Sequence, residues 1–400
     1  MFKQKDQIVK NTFSRSKGKI LRELSSYIDS FSLYYSLPPL SKKNDRLSNY
    51  AFVGDNSKII EQIVAPSPEY IEIGDNVLLN ELKTKKGCYV FIEHGVQDLN
   101  GLKCNQHCIK TALDQFLGSD IEGNLVTLSV DFEGGIALSH VSSEAWDHYR
   151  PLWSSKEGAR RLAELFTKYR IPVTWAICGH LFLEECQGNH GVEEQDWYGD
   201  WFSHDPASNW QADTAWYMPD VVRELNNNPL FEIGYHTFGH FRYDTCSEQT
   251  VKRDLELAEA LRRSWGIDLN TFVFPFNECG HFDILRNDGS FKYLRGNIGR
   301  KYPSTGIIDF GHFFFFNTTQ MFEPETMQIC LQQAGGLGAK PFNYYTHCHQ
   351  WCGSDGWTEL ERWLATLARL RDQGVITIIR MGDVDKYRNQ HPAMYAGQGE

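Results

Sequence analysis

Between residues 125 and 379 the chain alternates short apolar runs with amphipathic stretches, and no other feature limits its fold as tightly. Runs at 125–132, 171–178, 231–235, 271–275, 291–294, 343–347 and 375–379 are rich in Val, Ile, Phe and Tyr and have the length of strands. Helices are predicted between them. Leu162, Leu165, Phe166 and Tyr169 form one stripe over 155–169, and Trp357, Leu360, Leu364 and Leu367 another over 357–371. Val251, Leu255, Ala258 and Leu261 form a third, with Ser247 as its N-cap, and a further helix is expected near 217–227. Parallel strands need such crossovers, so the pattern predicts a parallel α/β sheet, open or rolled into a barrel. In either case chemistry belongs at the C-terminal ends of the strands.

Outside that stretch the chain changes character. Residues 1–46 carry ten Lys or Arg against four Asp or Glu, a balance of +6, and read as a basic arm or linker. Residues 47–123 alternate short apolar pieces with turns and are expected to form a small accessory α/β region. One piece, Ile71-Glu72-Ile73-Gly74-Asp75-Asn76-Val77, looks like a single rung of a hexapeptide β-helix, where stable arrays need about three or more rungs. The catalytic domain is expected over 124–386, with a tail at 387–400.

The net charge of −11 argues against a nucleic-acid partner. The longest apolar runs, such as 313–316, fall far short of the ~18 residues that read as a membrane span. The basic start lacks a following apolar stretch of a signal peptide, and ten cysteines without regular spacing read as thiols, so a cytoplasmic protein is expected. The arm at 1–46 suits weak contact with an anionic membrane surface or a plain solvated tail. Nothing in the sequence sets the oligomeric state.

Polar groups gather where the predicted strands end. The first finishes with Asp131-Phe132-Glu133, and residues two apart in a strand share a face. Two ionised carboxylates that close repel one another unless a cation or a shared proton intervenes, although two solvated loop acids would read the same way. The third strand leads into His236-Thr237-Phe238-Gly239-His240, where histidines four apart can reach one metal. Two histidines, one carboxylate and an open position make a known catalytic zinc set. Near 347 come Thr346-His347-Cys348-His349-Gln350-Trp351-Cys352, in which either histidine suits a general acid. A structural zinc built from His347 or His349 with Cys352, Cys104 and Cys108 competes with that reading, but the chain contains no Cys-x-x-Cys.

The order of these motifs resembles the polysaccharide deacetylases, the NodB-homology group of metal-dependent carbohydrate esterases. The likeness rests on Asp131-x-Glu133, Pro172-Val173-Thr174-Trp175-Ala176, the run from Glu232 to His240, Phe274-Pro275-Phe276-Asn277 and His349-Gln350-Trp351. It implies a distorted (β/α) barrel and a divalent metal, usually zinc. Carried over residue by residue, it makes Asp131 the general base, Glu133, His236 and His240 the metal ligands, and His349 the catalytic acid with His347 as alternative. One motif departs from the family: its usual arginine is missing beside Pro275, leaving Asn277 or Arg295 to compensate. Aromatic rings stack on sugars, so Trp201 in the 197–206 insertion, together with Asn277 and Trp351, is expected to touch the substrate. The implied reaction is removal of an N-acetyl group from an amino sugar, on a saccharide precursor carried by a nucleotide or lipid phosphate. Amide hydrolysis on another substrate, such as a formyl group or a ureide, and a non-catalytic saccharide- or partner-binding role are the alternatives.

Overall fold

The computed structural model describes residues 121–140, 156–190, 205–297, 306–352 and 354–390, except 122 and 339, and gives eight further strands between 52 and 120 as backbone. The basic arm, Trp201, Cys104 and Cys108 lie outside the described residues.

The eight leading strands are Phe52–Val53 (β1), Lys58–Ile59 (β2), Ile63–Val64 (β3), Ile71–Ile73 (β4), Leu78–Leu79 (β5), Leu82–Lys83 (β6), Cys88–Ile92 (β7) and Gly118–Asp120 (β8). Each of β1 to β4 pairs in parallel with the strand three further along: β1 with β4, β2 with β5, β3 with β6, and β4 with β7. Three tracks filled in rotation are the signature of a parallel coil. The Ile-Glu-Ile piece that looked like one rung is β4, the middle of one track. β7 then turns antiparallel to β8, whose other neighbour belongs to the main sheet.

That main sheet contains Leu125–Phe132 (β9), Val173–Ile177 (β10), Phe231–Tyr235 (β11), Thr271–Glu278 (β12), Tyr293–Asn297 (β13), Ile307–Asp309 (β14), Phe314–Asn317 (β15), Gln320–Met321 (β16), Phe342–His347 (β17) and Thr377–Ile379 (β18). Its order is β8-β14-β15-β13-β12-β11-β10-β9-β17-β16, parallel throughout except at β8 and β14. β18 lies against the first half of β9, at Leu125–Thr127, while β10 takes Ser129–Phe132. The sheet curls so far that Arg295 on β13 reaches Ser129 and Asp131 on β9. Between β15 and β16 the chain bridges the remaining gap: Thr318 N–H donates to Gly296, and Thr319 N–H to Asn343 on β17. The result is the distorted (β/α) barrel that the family resemblance implies.

Alternation along the strands separates two kinds of interior. On β9, Val126, Leu128, Val130 and Phe132 enter the large apolar cluster shared with the helices. Thr127, Ser129 and Asp131, on the other face, are buried inside the barrel. The helices covering the outside are Glu157–Lys168 (α1), Pro219–Asn226 (α2), Glu248–Trp265 (α3), Phe282–Asp288 (α4), Met327–Gln333 (α5) and Trp357–Asp372 (α6). Ser247 caps α3 as predicted, its hydroxyl accepting from Thr250 N–H at 3.2 Å, and Gly266 ends that helix at φ +62°. A second apolar cluster, with Leu125, Tyr293, Phe314, Phe316, Ile379, Val384 and Tyr387, plugs the end where the strands begin. Val384 and Tyr387 come from a last helix, Val384–Gln390 (α7), which runs through the boundary expected at 386. With that end plugged, the polar residues of the inner faces that concern the site lie where the strands finish.

Candidate active site

Asp131 sits on the inner face near the end of β9, 2% exposed. Its Oδ2 accepts from Arg295 Nη2 at 2.6 Å, while Arg295 Nη1 donates to Ser129 Oγ at 2.9 Å. The guanidinium also lies 4.9 Å above the Tyr345 ring. Asp131 Oδ1 is buried and has no hydrogen-bond partner among the described residues. Arg295 thus stands where it can hold one carboxylate oxygen of Asp131, as the missing motif arginine would, while the other has no partner among the described residues.

Two residues on, Glu133 Oε1 lies 3.0 Å from His240 Nε2 and 3.3 Å from His236 Nε2. His236 Nδ1 is 2.8 Å from the Val273 carbonyl, which only accepts, so Nδ1 carries the proton and Nε2 presents its lone pair. A lone pair aimed at a carboxylate oxygen is repelled unless a proton or cation lies between them. Burial pushes the Glu133 carboxyl up, yet His240, His347 and His236 outweigh it and hold it well below the usual range. Burial lowers the His240 imidazole, against the pull of Glu133, which favours its charged form. Glu133, His236 and His240 thus fit a divalent ion on an observation of their own geometry, and their ligand atoms all lie within 4.8 Å of one another.

The loop carrying both histidines is held from several sides. His236 N–H donates to Ile177, and Gly179 and His180 N–H donate to Thr237 and Phe238. Asp254 on α3, fully buried, accepts from Phe238 N–H and Tyr235 O–H, each at 2.7 Å. Thr237 and His240 take φ of +56° and +57°, a conformation side chains adopt only when surrounding contacts impose it. Sequence reasoning gave Asp254 no role; its position on the buried stripe of α3, one residue before Leu255, was the available signal.

The second histidine motif is placed differently from the preferred assignment. His347, paired in register with Asp131, brings Nε2 to 3.7 Å from Asp131 Oδ2 and 3.6 Å from Glu133 Oε1. His349 stands beside it in the following turn, with 5.2 Å between ring centroids, and His347 is the one grouped with the two carboxylates. His347 Nδ1 faces Gln350 Oε1 at 3.2 Å, and Gln350 Nε2 donates to Glu323 Oε2 at 2.5 Å. That donation sets the direction of the amide, so its oxygen fixes the proton of His347 on Nδ1.

Of the expected sugar contacts, Trp351 needs correction. It is 0% exposed, with Nε1 donating to Thr346 Oγ1 and its ring packed between Phe322 and Trp357. No face is left for a sugar; this is a core tryptophan under α6. Asn277 is 7% exposed at φ +58°, its Oδ1 lacking a partner among the described residues, beside Phe276, whose ring lies 4.7 Å from His240. Glu232, from the most specific motif, lies at the plugged end: Thr174, Thr271 and Gly382 N–H all donate to it. Its role is structural.

Residues 147–281 match the family model for polysaccharide deacetylase. No curated protein matches the chain. Among solved structures, a putative polysaccharide deacetylase from Mycobacterium smegmatis is similar at 12% identity and TM-score 0.48, over 66% of this chain and 90% of its own. An allantoinase (Puue) is similar at 14% identity and TM-score 0.46, over 67% of this chain and 92% of its own. A CE4 family pseudoenzyme from Bacillus anthracis is similar at 10% identity and TM-score 0.38, over 66% of both chains. The matched segment contains His236 and His240, and the resemblance to the polysaccharide deacetylases read from the motifs is borne out there.

Proposed function

We propose that this protein hydrolyses a carbon–nitrogen amide bond, with an N-acetylated amino sugar as substrate and a divalent ion, zinc by its donor set, held by Glu133, His236 and His240. The observation that carries the reading is the pairing of that set with a buried carboxylate, Asp131, whose one oxygen is occupied by Arg295 and whose other is free. When bound, the ion supplies Lewis acidity to the acyl group. Asp131 Oδ1 takes the proton of the attacking water. Arg295, by holding Oδ2, keeps that acceptor in one orientation through the step. As the carbon–nitrogen bond breaks, His347 in its protonated form gives its Nε2 proton to the departing amine. Acetate and a free amino sugar result. Its 20% exposed side chain, against 3–4% for the two carboxylates, puts His347 on the open side of the site, where a substrate arrives.

The carrier and place belong to the same proposal. The cysteines described are all free thiols, which supports a reducing compartment, and a nucleotide- or lipid-linked precursor of a surface glycan is the substrate such a location offers. The experiment is acetate release from N-acetylated sugar nucleotides, lipid-linked saccharides and oligosaccharides, with and without a chelator. Chelator-sensitive turnover that vanishes in a His236→Ala, His240→Ala variant supports the reading. Full metal content in that variant, or turnover indifferent to chelation, rejects it. Metal-loaded protein without turnover on any acetylated member would favour the saccharide-binding alternative.

A further inference from the structure

On the segment between β10 and α2 four more ligand-type side chains converge, away from the site above. We propose that His180, Cys186, His190 and Asp205 hold a second, structural divalent ion, zinc by the chemistry of the donors. His180 Nε2 is 3.4 Å and His190 Nε2 2.9 Å from the same oxygen, Asp205 Oδ2. Cys186 Sγ is 3.6 Å from His180 Nε2 and 3.5 Å from Asp205 Oδ2. All four ligand atoms lie within 4.8 Å of one another. A zinc tetrahedron with bonds of ~2.0–2.3 Å has edges of roughly 3.3–3.8 Å, and three of the four spacings, 3.4, 3.5 and 3.6 Å, are of that size.

The surroundings match the outer layer of a metal site. His180 Nδ1 is 2.8 Å from the Trp216 carbonyl, which fixes the proton there and turns the Nε2 lone pair towards Asp205. Cys186 Sγ also faces that Nε2, and His190 Nε2 faces the same Asp205 oxygen, so all four donors are aimed at one buried point. Backbone N–H groups of Gly188 and Ala207 donate to Cys186 Sγ and Asp205 Oδ1, as they would to a thiolate and a carboxylate. His180 and His190 are 0% and 7% exposed, and the Asp205 side chain 1%. A metal-free network of shared protons, with Tyr217 O–H near the sulfur at 3.0 Å, is the competing arrangement.

The position gives the ion a purpose. His180 N–H donates to the Phe238 carbonyl, and the Phe238 ring lies 5.5 Å from His180 and 4.8 Å from His190. Phe238 sits between His236 and His240. The cage therefore clamps 180–190 to Asp205 and backs the loop that carries the two catalytic-site histidines.

The two sites differ in one decisive donor, the thiolate, and that difference supplies the test. Full-length protein purified with zinc is expected to hold two equivalents by elemental analysis, and the His236→Ala, His240→Ala variant one. Cobalt loaded into that variant should give a thiolate-to-cobalt charge-transfer band, lost on adding Cys186→Ser. A Cys186→Ser, His190→Ala variant of the otherwise native chain should fall from two equivalents to one. If that variant fails to fold, the cobalt spectrum of the His236→Ala, His240→Ala protein decides alone. No bound metal and no charge-transfer band in it overturns the proposal.

Discussion

Replacing Arg295 with methionine removes the group that holds Asp131 and leaves a carboxylate buried without its partner. Both residues are at most 2% exposed, and their closest atoms are 2.6 Å apart. With charge centres about 4 Å apart and an effective dielectric of 20, their attraction is ~4 kcal/mol. Breaking one side of a buried pair costs ~3–5 kcal/mol, so two routes to the magnitude agree. Urea unfolding of the full-length Arg295→Met protein should show that loss as a lower midpoint at unchanged slope. Asp131→Asn alone strands the guanidinium instead, and the double variant strands neither charge. A double-mutant cycle should then return a coupling of about 2 kcal/mol or more. In turnover, Arg295→Met should lower kcat by ~10²-fold with KM little changed, because the base loses its orientation while the ligand set stays intact. Additive stabilities, within about 0.5 kcal/mol, would refute the pairing; unchanged kcat would refute the positioning role.

Three further outcomes are expected. Burial raises the Asp254 carboxyl to about 7 despite donation from Tyr235 and Phe238; a folded value above the unfolded one means stability present below pH ~4 and lost as pH rises towards 7, by an order of 4 kcal/mol. Asp254→Asn should flatten that limb of the urea-midpoint profile between pH 4 and 7, as an order of magnitude for the window, and parallel profiles would contradict it. His347→Gln should lower kcat by about 10²–10⁴-fold and His349→Gln by less than tenfold, and the reverse ranking in single-turnover assays would restore His349 as the acid. Gly134 takes φ +57°, and a Cβ there would stand 2.6 Å from the Ala215 carbonyl; Gly134→Ala should cost more than ~1 kcal/mol by thermal unfolding, and a neutral result would contradict the tight turn beside Glu133.

What the sequence made legible follows the periods of its elements, and what it hid follows from how far apart the partners lie along the chain. The run Thr127-Leu128-Ser129-Val130-Asp131 alternates polar and apolar, and that period places Asp131 inside the barrel as soon as β9 is recognised. His236 and His240 share a short motif at a strand end, so their meeting with one another was equally readable. Arg295 is different. It stands on β13, among residues that read as an ordinary strand, and it reaches Asp131 only because the sheet curls across the three strands between them. No local pattern carries that information. The choice between His347 and His349 hung on register. Motif spacing favoured His349, because Trp351 follows it; but Trp351 belongs to the core, so that spacing describes packing under α6 rather than substrate. The pairing of β17 with β9 sets His347 directly beside Asp131, on the same face, whereas two residues later the chain has left the sheet for a turn. The cage at His180, Cys186, His190 and Asp205 shows the limit again: three donors lie within eleven positions, but the fourth returns only after a segment whose path the sequence does not give. A site assembled from one strand period can be read in advance, and a site assembled by closure of the barrel has to be measured.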